Sequence, residues 1–408
     1  MNGASQIGGN NLFLLCRAKG VRWGKVYGFL VLRINKMRFF RQKFLLLFLL
    51  VFCESMFLMA EDEKKLIKSI VWEQKLATGS SANHLNYEAA IGGLFMAHEN
   101  MTGLPLSPSK LGAVGLKVDT AAGAGLSTPL PLVRAVIESL ERRGFERSAI
   151  LILDYSAFNL KAAGFLEEAG CAERGAVGQF AGCPVLALDS FAHFEREWFY
   201  DSPIPPLLKD QAREQNPYGQ ELITEEDLGL RKSFLPIPLM FEVDFWINLA
   251  VGVEDPILGV EATLANASLF NVSNHRRFYT NQSAAAVAIA EISAIPELRE
   301  KLYLNFLSLE RYQFIGGPQF DAYYARSKPL LWMSDDPVAL DRMLLALINR
   351  ERRENGFEEI SQPNLQLDYA AKIGLGTNDL SAIEKRYLRE AEESIGTRAF
   401  RFSIPTKN

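Results

Sequence analysis

The chain has 408 residues, of which 48% are hydrophobic and 23% charged, so it can bury the core of one large α/β domain or of two smaller lobes. Its formal net charge of -4 and pI near 5.8 argue against a protein that binds duplex nucleic acid through a broad basic surface. We therefore expect no nucleic-acid partner.

The first predicted element is an export signal. From Met37 the sequence runs through basic residues into an apolar stretch at residues 44–52, and a strongly charged segment follows. This order is typical of a secretory signal peptide, whereas a membrane-spanning helix needs roughly 20 apolar residues. We predict an upstream extension at residues 1–36, a signal peptide at residues 37–60 and export to the periplasm or the medium. The alternative is a membrane anchor at residues 44–60, which would be the protein's membrane contact.

The following part, residues 66–400, shows the alternation of strands and helices that is typical of an α/β fold. The segments "GLKVD" at residues 115–119 and "AILILD" at residues 149–154 predict buried strands, because their apolar runs are short and continuous. Between them, a helix should begin near Pro129, with Thr128 or the serine before it as the cap. We predict a mostly parallel or mixed sheet flanked by helices, in one body or two lobes.

Residues 193–232 interrupt this pattern. They are polar, aromatic and rich in proline, and we interpret them as an insertion at the surface. Apolar and polar side chains then alternate over residues 241–253, as in a strand. The segments after Asn281 are expected to be helical or mixed. Further on, a short strand should end at Ser334, Asp336 should cap the next helix, and two helical pieces should flank a Gly-Leu-Gly break.

The cysteines exclude some kinds of site. Cys171 and Cys183 could close a small disulfide in an oxidising compartment or could remain as buried thiols. The sequence has no C-x-x-C spacing, so we expect neither an iron–sulfur cluster nor a cysteine-bound zinc ion.

Acidic residues stand where the predicted strands end. In a mostly parallel sheet the carboxyl ends of the strands share one edge, and ligands bind in the crevice there. Asp119, Asp154 and Asp335 occupy such ends, and their oxygens suit a divalent metal ion such as Mg²⁺, Ca²⁺ or Mn²⁺. Each also has a structural alternative, because aspartate commonly shapes turns and caps helices.

A basic cluster, His275-Arg276-Arg277, follows the alternating strand. Arginines suit a carboxylate or phosphate group. The two positive charges should lower the pKa of His275, which would leave it neutral and able to act as a general base. The alternative is a solvated turn that happens to be basic. The sequence thus predicts a cleft that holds a small anionic ligand between acidic and basic residues.

Three stretches of the chain form an ordered set: "GLKVDTAAGAGLSTPLPLVRAVIESLERRGF", "DFWINLAVGVEDPILGVEATLANASLFNVSNHRRF" and "IGGPQFDAYYARSKPLLWMSDDPVALDRML". Together they resemble the DUF362 family of uncharacterised proteins. The resemblance implies an α/β fold in a family whose activity is not established, and in which some members carry ferredoxin-type clusters. Asn266 and His275 match the family pattern, whereas Ala265 stands where the family has a lysine.

Two functional hypotheses follow. In the first, the protein binds a small anionic ligand in the cleft. Whether it converts that ligand stays open, and if it does, His275 would be the catalytic base. In the second, a non-catalytic binding or assembly protein of the cell envelope contacts a partner through residues 193–232, with aromatic side chains as anchors. The expected ligand-binding residues of the first are Arg276, Arg277, Asn248, Asn266 and Lys117. The expected anchors of the second are Trp198, Phe199, Tyr200 and Tyr218.

Overall fold

The computed structural model describes residues 68–78, 85–166, 168–169, 175–204, 231–361 and 363–388. The predicted upstream extension and signal peptide, Cys171, and the middle of the predicted insertion with Tyr218 lie outside these residues. None of the helices in the described ranges has the length and apolar character that a membrane crossing requires.

In the part of the chain that the structure describes, twelve strands form one mixed sheet, and two small two-stranded sheets accompany it. The predicted α/β class is confirmed. In chain order the strands are β1 (Ser69–Lys75), β2 (Ala77–Thr78), β3 (Leu85–Asn86), β4 (Val114–Val118), β5 (Ile150–Asp154), β6 (Glu168–Ala169), β7 (Gly178–Phe180), β8 (Cys183–Ala187), β9 (Phe194–Asp201), β10 (Lys232–Pro236), β11 (Phe245–Asp255), β12 (Gly259–Glu261), β13 (Leu302–Gln313), β14 (Ala325–Arg326), β15 (Leu330–Ser334) and β16 (Ile383–Tyr387).

The order of strands places a switch point beside β4. Across the large sheet the order is β16-β1-β15-β13-β11-β4-β5-β8-β7-β6, with β12 next to β11 and β14 next to β13. The strands β13, β11, β4, β5 and β8 are parallel, so their carboxyl ends share one edge. The chain runs outward from β4 through β5 to β8 and later adds β11 on the other side of β4. Open α/β sheets bind ligands at this kind of switch point.

Helices cover both faces of the sheet. Residues of β5 alternate between two hydrophobic clusters, because Ile150 and Ile152 pack on one face while Leu151 and Leu153 pack on the other. Apolar side chains of α1 and α2 belong to the first cluster, and those of α5, α7 and α8 to the second. The helices are α1 (Glu88–Thr102), α2 (Leu130–Glu141), α3 (Ala157–Ala162), α4 (Thr263–Ala267), α5 (Gln282–Ser293), α6 (Pro296–Arg299), α7 (Pro337–Glu354) and α8 (Leu365–Lys372).

The local signals at the two long helices have different outcomes. Asp336 caps α7 as predicted, and its carboxylate accepts a hydrogen bond of 2.8 Å from the Ala339 amide. Thr128 does not cap α2, whose cap residue is Pro129 and has no side-chain hydrogen bond. The Thr128 hydroxyl instead donates to the Leu249 carbonyl at 2.6 Å and accepts from the Asp119 amide at 2.8 Å. It therefore joins the residue that follows β4 to the middle of β11.

Two segments predicted as helical or mixed are strands. Residues 302–313 form β13, which lies between β11 and β15 in the centre of the sheet. The second helical piece expected after the Gly-Leu-Gly break is β16, which pairs in parallel with β1. In both cases a neighbouring strand supplies hydrogen bonds and burial that local sequence preference cannot register.

Candidate functional site

A cavity of about 520 Å³ lies at the edge where β4, β5 and β8 end. Residues that directly follow these strands make one wall, and β12 with the segment after α4 makes much of the opposite wall. The lining includes Thr120, Asp154, Tyr155, Asp189, Glu261, Phe270, His275, Arg276 and Tyr279.

Asp154 is fixed at the cavity wall by a buried lysine. The Lys117 ammonium group lies 2.6 Å from one carboxylate oxygen of Asp154, and its side chain is fully buried. The Thr120 amide donates to the other oxygen at 2.8 Å, and the Tyr155 amide donates to the first at 2.7 Å. Lone pairs of both oxygens are thus engaged by the protein itself, which favours a positioned structural carboxylate over a metal ligand.

Behind this pair, polar side chains form a continuous buried chain. Lys117, Asn248 and Asn305 are neighbours in register on the adjacent strands β4, β11 and β13. The Asn266 amide oxygen on α4 accepts from Lys117 at 2.5 Å, while its nitrogen donates to Asn248 at 2.7 Å. Asn248 donates in turn to Asn305 at 2.9 Å and to the Thr263 carbonyl at 2.8 Å.

This chain corrects the roles expected for Lys117, Asn248 and Asn266. All three are fully buried and none lines the cavity, so they contact a ligand only through Asp154. Buried amides and ammonium groups must be paired because desolvation is costly, and here they pair with one another. We define Lys117, Asp154, Asn266, Asn248 and Asn305 as the buried polar chain.

Asp119 lies behind the wall and does not line the cavity. Its carboxylate accepts from the amides of Ala121 and Val251, each at 3.3 Å. The hydrogen bond from Ala121 is the local contact expected of an aspartate that shapes a turn. Burial, together with the nearby charge of Asp154, raises the pKa of Asp119 to about 7, although Lys117 opposes the shift.

Asp335 is not part of this edge. Strand β15 runs antiparallel to β13, so it ends toward the edge where the parallel strands begin, and Asp335 is exposed there. The three aspartates expected to bind a metal therefore do not converge. Within the described residues, no group of three or more histidine, cysteine, aspartate or glutamate side chains is arranged to hold a metal ion.

His275 does not lie in a solvated turn. It is 8% exposed and packs edge-on against the ring of Tyr155, with ring centroids 4.4 Å apart. Burial lowers the pKa of His275 to about 4, and the charge of Arg276 adds to the shift. The predicted direction is therefore right, but desolvation is the larger cause. The buried Nδ1 atom has no hydrogen-bond partner of ordinary geometry, and an interaction of the imidazole with the Val272 backbone opposes the pKa shift.

The two arginines after His275 have different surroundings. Arg276 is exposed and lines the cavity, and no ion pair joins it to a described residue. Arg277 is half-buried and lines neither cavity described here. Its guanidinium group donates to the Ser202 carbonyl at 2.9 Å and to the Ser233 hydroxyl at 3.3 Å. Arg277 thereby attaches the antiparallel pair β9–β10 to the site segment, and the structure does not place it with Arg276 in either cavity.

Glu261 and Tyr279 are cavity residues that the sequence did not reveal. Glu261 is 3% exposed, and the Tyr279 hydroxyl donates to it at 3.1 Å. Burial and then the charges of Asp255 and Asp119 raise the pKa of Glu261 well above its ordinary value. The Glu261 carboxyl group at the cavity therefore keeps its proton to a higher pH than an exposed glutamate does. Only tertiary structure brings β12 to this position, so no local sequence signal marks Glu261.

A second cavity of about 410 Å³ shares part of this wall. Tyr155, His275 and Arg276 line both cavities. The strands β9 and β10 form a hairpin of their own, and Lys232 and Phe234 of β10 line the second cavity. The remaining lining comes from Phe191, Ser273 and Asn274.

The aromatic side chains of β9, expected to contact a partner, pack largely on this chain. The Trp198 ring lies 4.7 Å from that of Phe241, and Tyr200 donates a hydrogen bond to Glu291. The Lys232 ammonium group lies 4.1 Å from the centre of the Phe199 ring. Their positions within the fold are therefore explained without a partner protein.

The described residue Cys183 is a buried free thiol, and burial raises its pKa to about 12. A thiol in this state is a weak nucleophile, because the thiolate is the reactive form. Cys183 on β8 is therefore a core side chain.

No protein-family model, curated protein or solved structure matches this chain. The cavity walls offer an exposed guanidinium group, a buried neutral imidazole and a buried carboxyl group whose pKa is raised. This set can hold an anion and can exchange protons with it.

Proposed function

We propose that the protein binds a small anionic ligand in the cavity at the carboxyl edge of the sheet, with the charged group of the ligand at Arg276. The observation that carries this proposal is the position of Arg276, which lines the cavity without an ion-pair partner among the described residues. A guanidinium group offers several donors in a plane that matches a carboxylate or phosphate.

The charges of the neighbouring residues support an anion at this position. The charge of Asp154 is balanced by Lys117 at 2.6 Å. Burial raises the pKa of Glu261 well above its ordinary value, which disfavours a negative charge on this side chain. The Asp189 carboxylate accepts from the Ala157 amide at 3.1 Å, at the start of α3. None of these three carboxyl groups forms an ion pair with Arg276 among the described residues.

Proton transfer is the chemistry that this site would perform if it turns its ligand over. His275 is neutral at pH 7, because burial lowers its pKa to about 4, and burial raises the pKa of Glu261, which favours the protonated form of its carboxyl group. A neutral imidazole accepts a proton and a neutral carboxyl group donates one. In such a reaction His275 would be the general base and Glu261 the general acid.

Calorimetric titration with inorganic phosphate and with a series of small mono- and dicarboxylates tests the proposal. At least one of these anions should bind the wild-type protein, and Arg276→Gln should weaken binding by about 10-fold or more, since a charge-assisted hydrogen bond contributes about 1.5–3 kcal/mol. The control is Arg350→Gln, which removes an exposed arginine of α7 outside the cavity. Equal affinity in wild type and Arg276→Gln would contradict the proposal, as would the absence of any binding.

We also propose that the protein is an exported, divergent member of the DUF362 family. The three similar stretches and the order in which they occur support the family, and the basic and apolar segments after Met37 support export. N-terminal sequencing of the protein isolated from its native cells tests export. A start at residue 56 or at residue 61 is expected, whereas a cytoplasmic protein that retains residues 37–60 would contradict it.

A further inference from the structure

The two cavities that share Tyr155, His275 and Arg276 differ in charge. The larger one is lined by the carboxyl groups of Asp154, Asp189 and Glu261 as well as by Arg276. The smaller one is lined by Arg276 and Lys232, and no acidic side chain is among its described lining. An anion at Arg276 therefore meets a second positive charge on the side of the smaller cavity.

The smaller cavity also has aromatic walls. Phe191 and Phe234 line it together with Tyr155, and Phe191 is 58% exposed. Phe191 is held in the left-handed backbone region, with φ at 58°, a conformation uncommon for a residue with a side chain. Such strain persists where surrounding structure over-determines it, often at ligand sites. Aromatic rings favour a flat apolar group that can stack on them or meet them edge-on.

Lys232 is available to a ligand. Its ammonium group faces the ring of Phe199 at 4.1 Å, and no ion pair joins it to a described residue. A cation on an aromatic face is stabilised by about 0.5–1 kcal/mol at an exposed site, which is less than a charge-assisted bond to an anion provides. An incoming anion can therefore bind the Lys232 ammonium group, because the free energy lost with the Phe199 contact is small.

We propose that the ligand is an aromatic anion, an aryl phosphate or aryl carboxylate, whose charged group lies between Arg276 and Lys232 and whose ring packs against Phe191 and Phe234. This proposal rests on the proposed function, because it assigns the ligand class of the same site. It adds Lys232 and the rings of Phe191 and Phe234, none of which lines the larger cavity. The larger cavity then receives whatever part of the ligand extends beyond the charged group.

Titration with phenyl phosphate, inorganic phosphate and phenol tests the ligand class. Phenyl phosphate should bind about 10-fold more tightly than inorganic phosphate, since stacking and burial of the ring add to the charge contact. Phenol should bind more weakly than either anion. Lys232→Gln should weaken phenyl phosphate by about 10-fold, whereas Lys232→Arg, which keeps the charge, should retain most of the affinity.

The control is Lys372→Gln, because Lys372 is exposed and also faces an aromatic ring, that of Tyr369, but lies outside both cavities. Thermal unfolding of each variant identifies any that fails to fold, in which case Lys232→Arg and the three probes on wild type still decide the question. Inorganic phosphate that binds through Arg276, with phenyl phosphate no tighter and Lys232→Gln without effect, would overturn the aromatic anion and leave the proposed function intact. Failure of both phosphates and of the small carboxylates to bind would overturn both proposals.

Discussion

The buried polar chain and the cavity wall of Tyr155, His275 and Arg276 lie close to the same sheet edge but differ in how their polar groups are satisfied. In the buried polar chain each of the three amide side chains donates to and accepts from a protein partner. On the wall, the Nδ1 atom of His275 has no partner and Arg276 has no ion pair with a described residue. Polar groups satisfied within the protein maintain its shape, whereas groups left without partners are available to a ligand.

The largest expected effect comes from breaking the buried polar chain. Lys117→Met should lower the free energy of unfolding by about 3–5 kcal/mol, because it leaves Asp154 and Asn266 buried without their partner. Urea denaturation measures the change. Lys328→Met is the matched control, since it removes the partly exposed ion pair with Glu351. It should lower the free energy of unfolding by roughly 1 kcal/mol or less. Equal costs of the two substitutions would mean that the buried polar chain is not what holds this edge.

A second prediction uses the opposite pKa shifts of Asp119 and His275. The folded protein keeps a proton on Asp119 up to pH about 7, which the unfolded chain releases near pH 4. This contribution to stability is present below pH 4 and is lost as the pH rises through 7. When the pH is raised from 5 to 8, the free energy of unfolding of Asp119→Asn should therefore increase by about 2–3 kcal/mol relative to that of the wild type.

His275 has the reverse dependence. Its folded pKa of about 4 lies below the ordinary 6.5, so its contribution is present above pH 6.5 and is lost as the pH falls toward 4. When the pH is lowered from 8 to 5, the free energy of unfolding of His275→Gln should increase by about 2 kcal/mol relative to that of the wild type. Urea denaturation across this range measures both variants. Curves parallel to wild type would contradict the burial of the two groups.

The smallest expected effect compares two neighbouring residues. Arg277→Gln should destabilise the protein by about 1–2 kcal/mol, because it removes hydrogen bonds to Ser202 and Ser233. Arg276→Gln should change stability by no more than about 0.5 kcal/mol, as is usual for exposed side chains. Thermal unfolding of the two variants provides the measurement. A larger cost for Arg276 than for Arg277 would reverse the assignment of one to the ligand and the other to the fold.

Much of the sheet could be predicted because the strands near its centre have strong local patterns. Residues 115–119 and 149–154 form β4 and β5 as expected. The alternation over residues 241–253 marks β11, but that strand is buried on both faces, so its polar Asn248 bonds to other strands rather than to water. The sequence shows the period of a strand and does not show that both faces are covered.

Strand β13 was missed for a related reason. Its segment, "LYLNFLSLERYQ", is rich in leucine, which favours helices as well as buried strands. Pairing with β11 and β15 decides the outcome, and these strands are distant in sequence.

The site could be predicted in part, from the basic cluster that contains His275 and Arg276 and from residues at the ends of recognisable strands. Asp154 fits this rule, and Asp335 also fits it, yet β15 runs antiparallel and places Asp335 toward the other edge. The direction of a strand within the sheet is a tertiary property. The same holds for Glu261 and Lys232, which reach the cavities through β12 and through the β9–β10 hairpin.

The most direct test of the account is the response of His275 to an anion. The measurement is an NMR spectrum of protein with isotope-labelled histidines. The imidazole signal that is lost in His275→Gln identifies this residue among the four histidines of the chain. Titration with inorganic phosphate at constant ionic strength should shift the His275 signal saturably in wild type and not in Arg276→Gln. The signal of His98, which is buried on α1 away from the cavity, should stay unchanged. A His275 signal that does not move, or that moves equally in Arg276→Gln, would contradict an anion site at this wall.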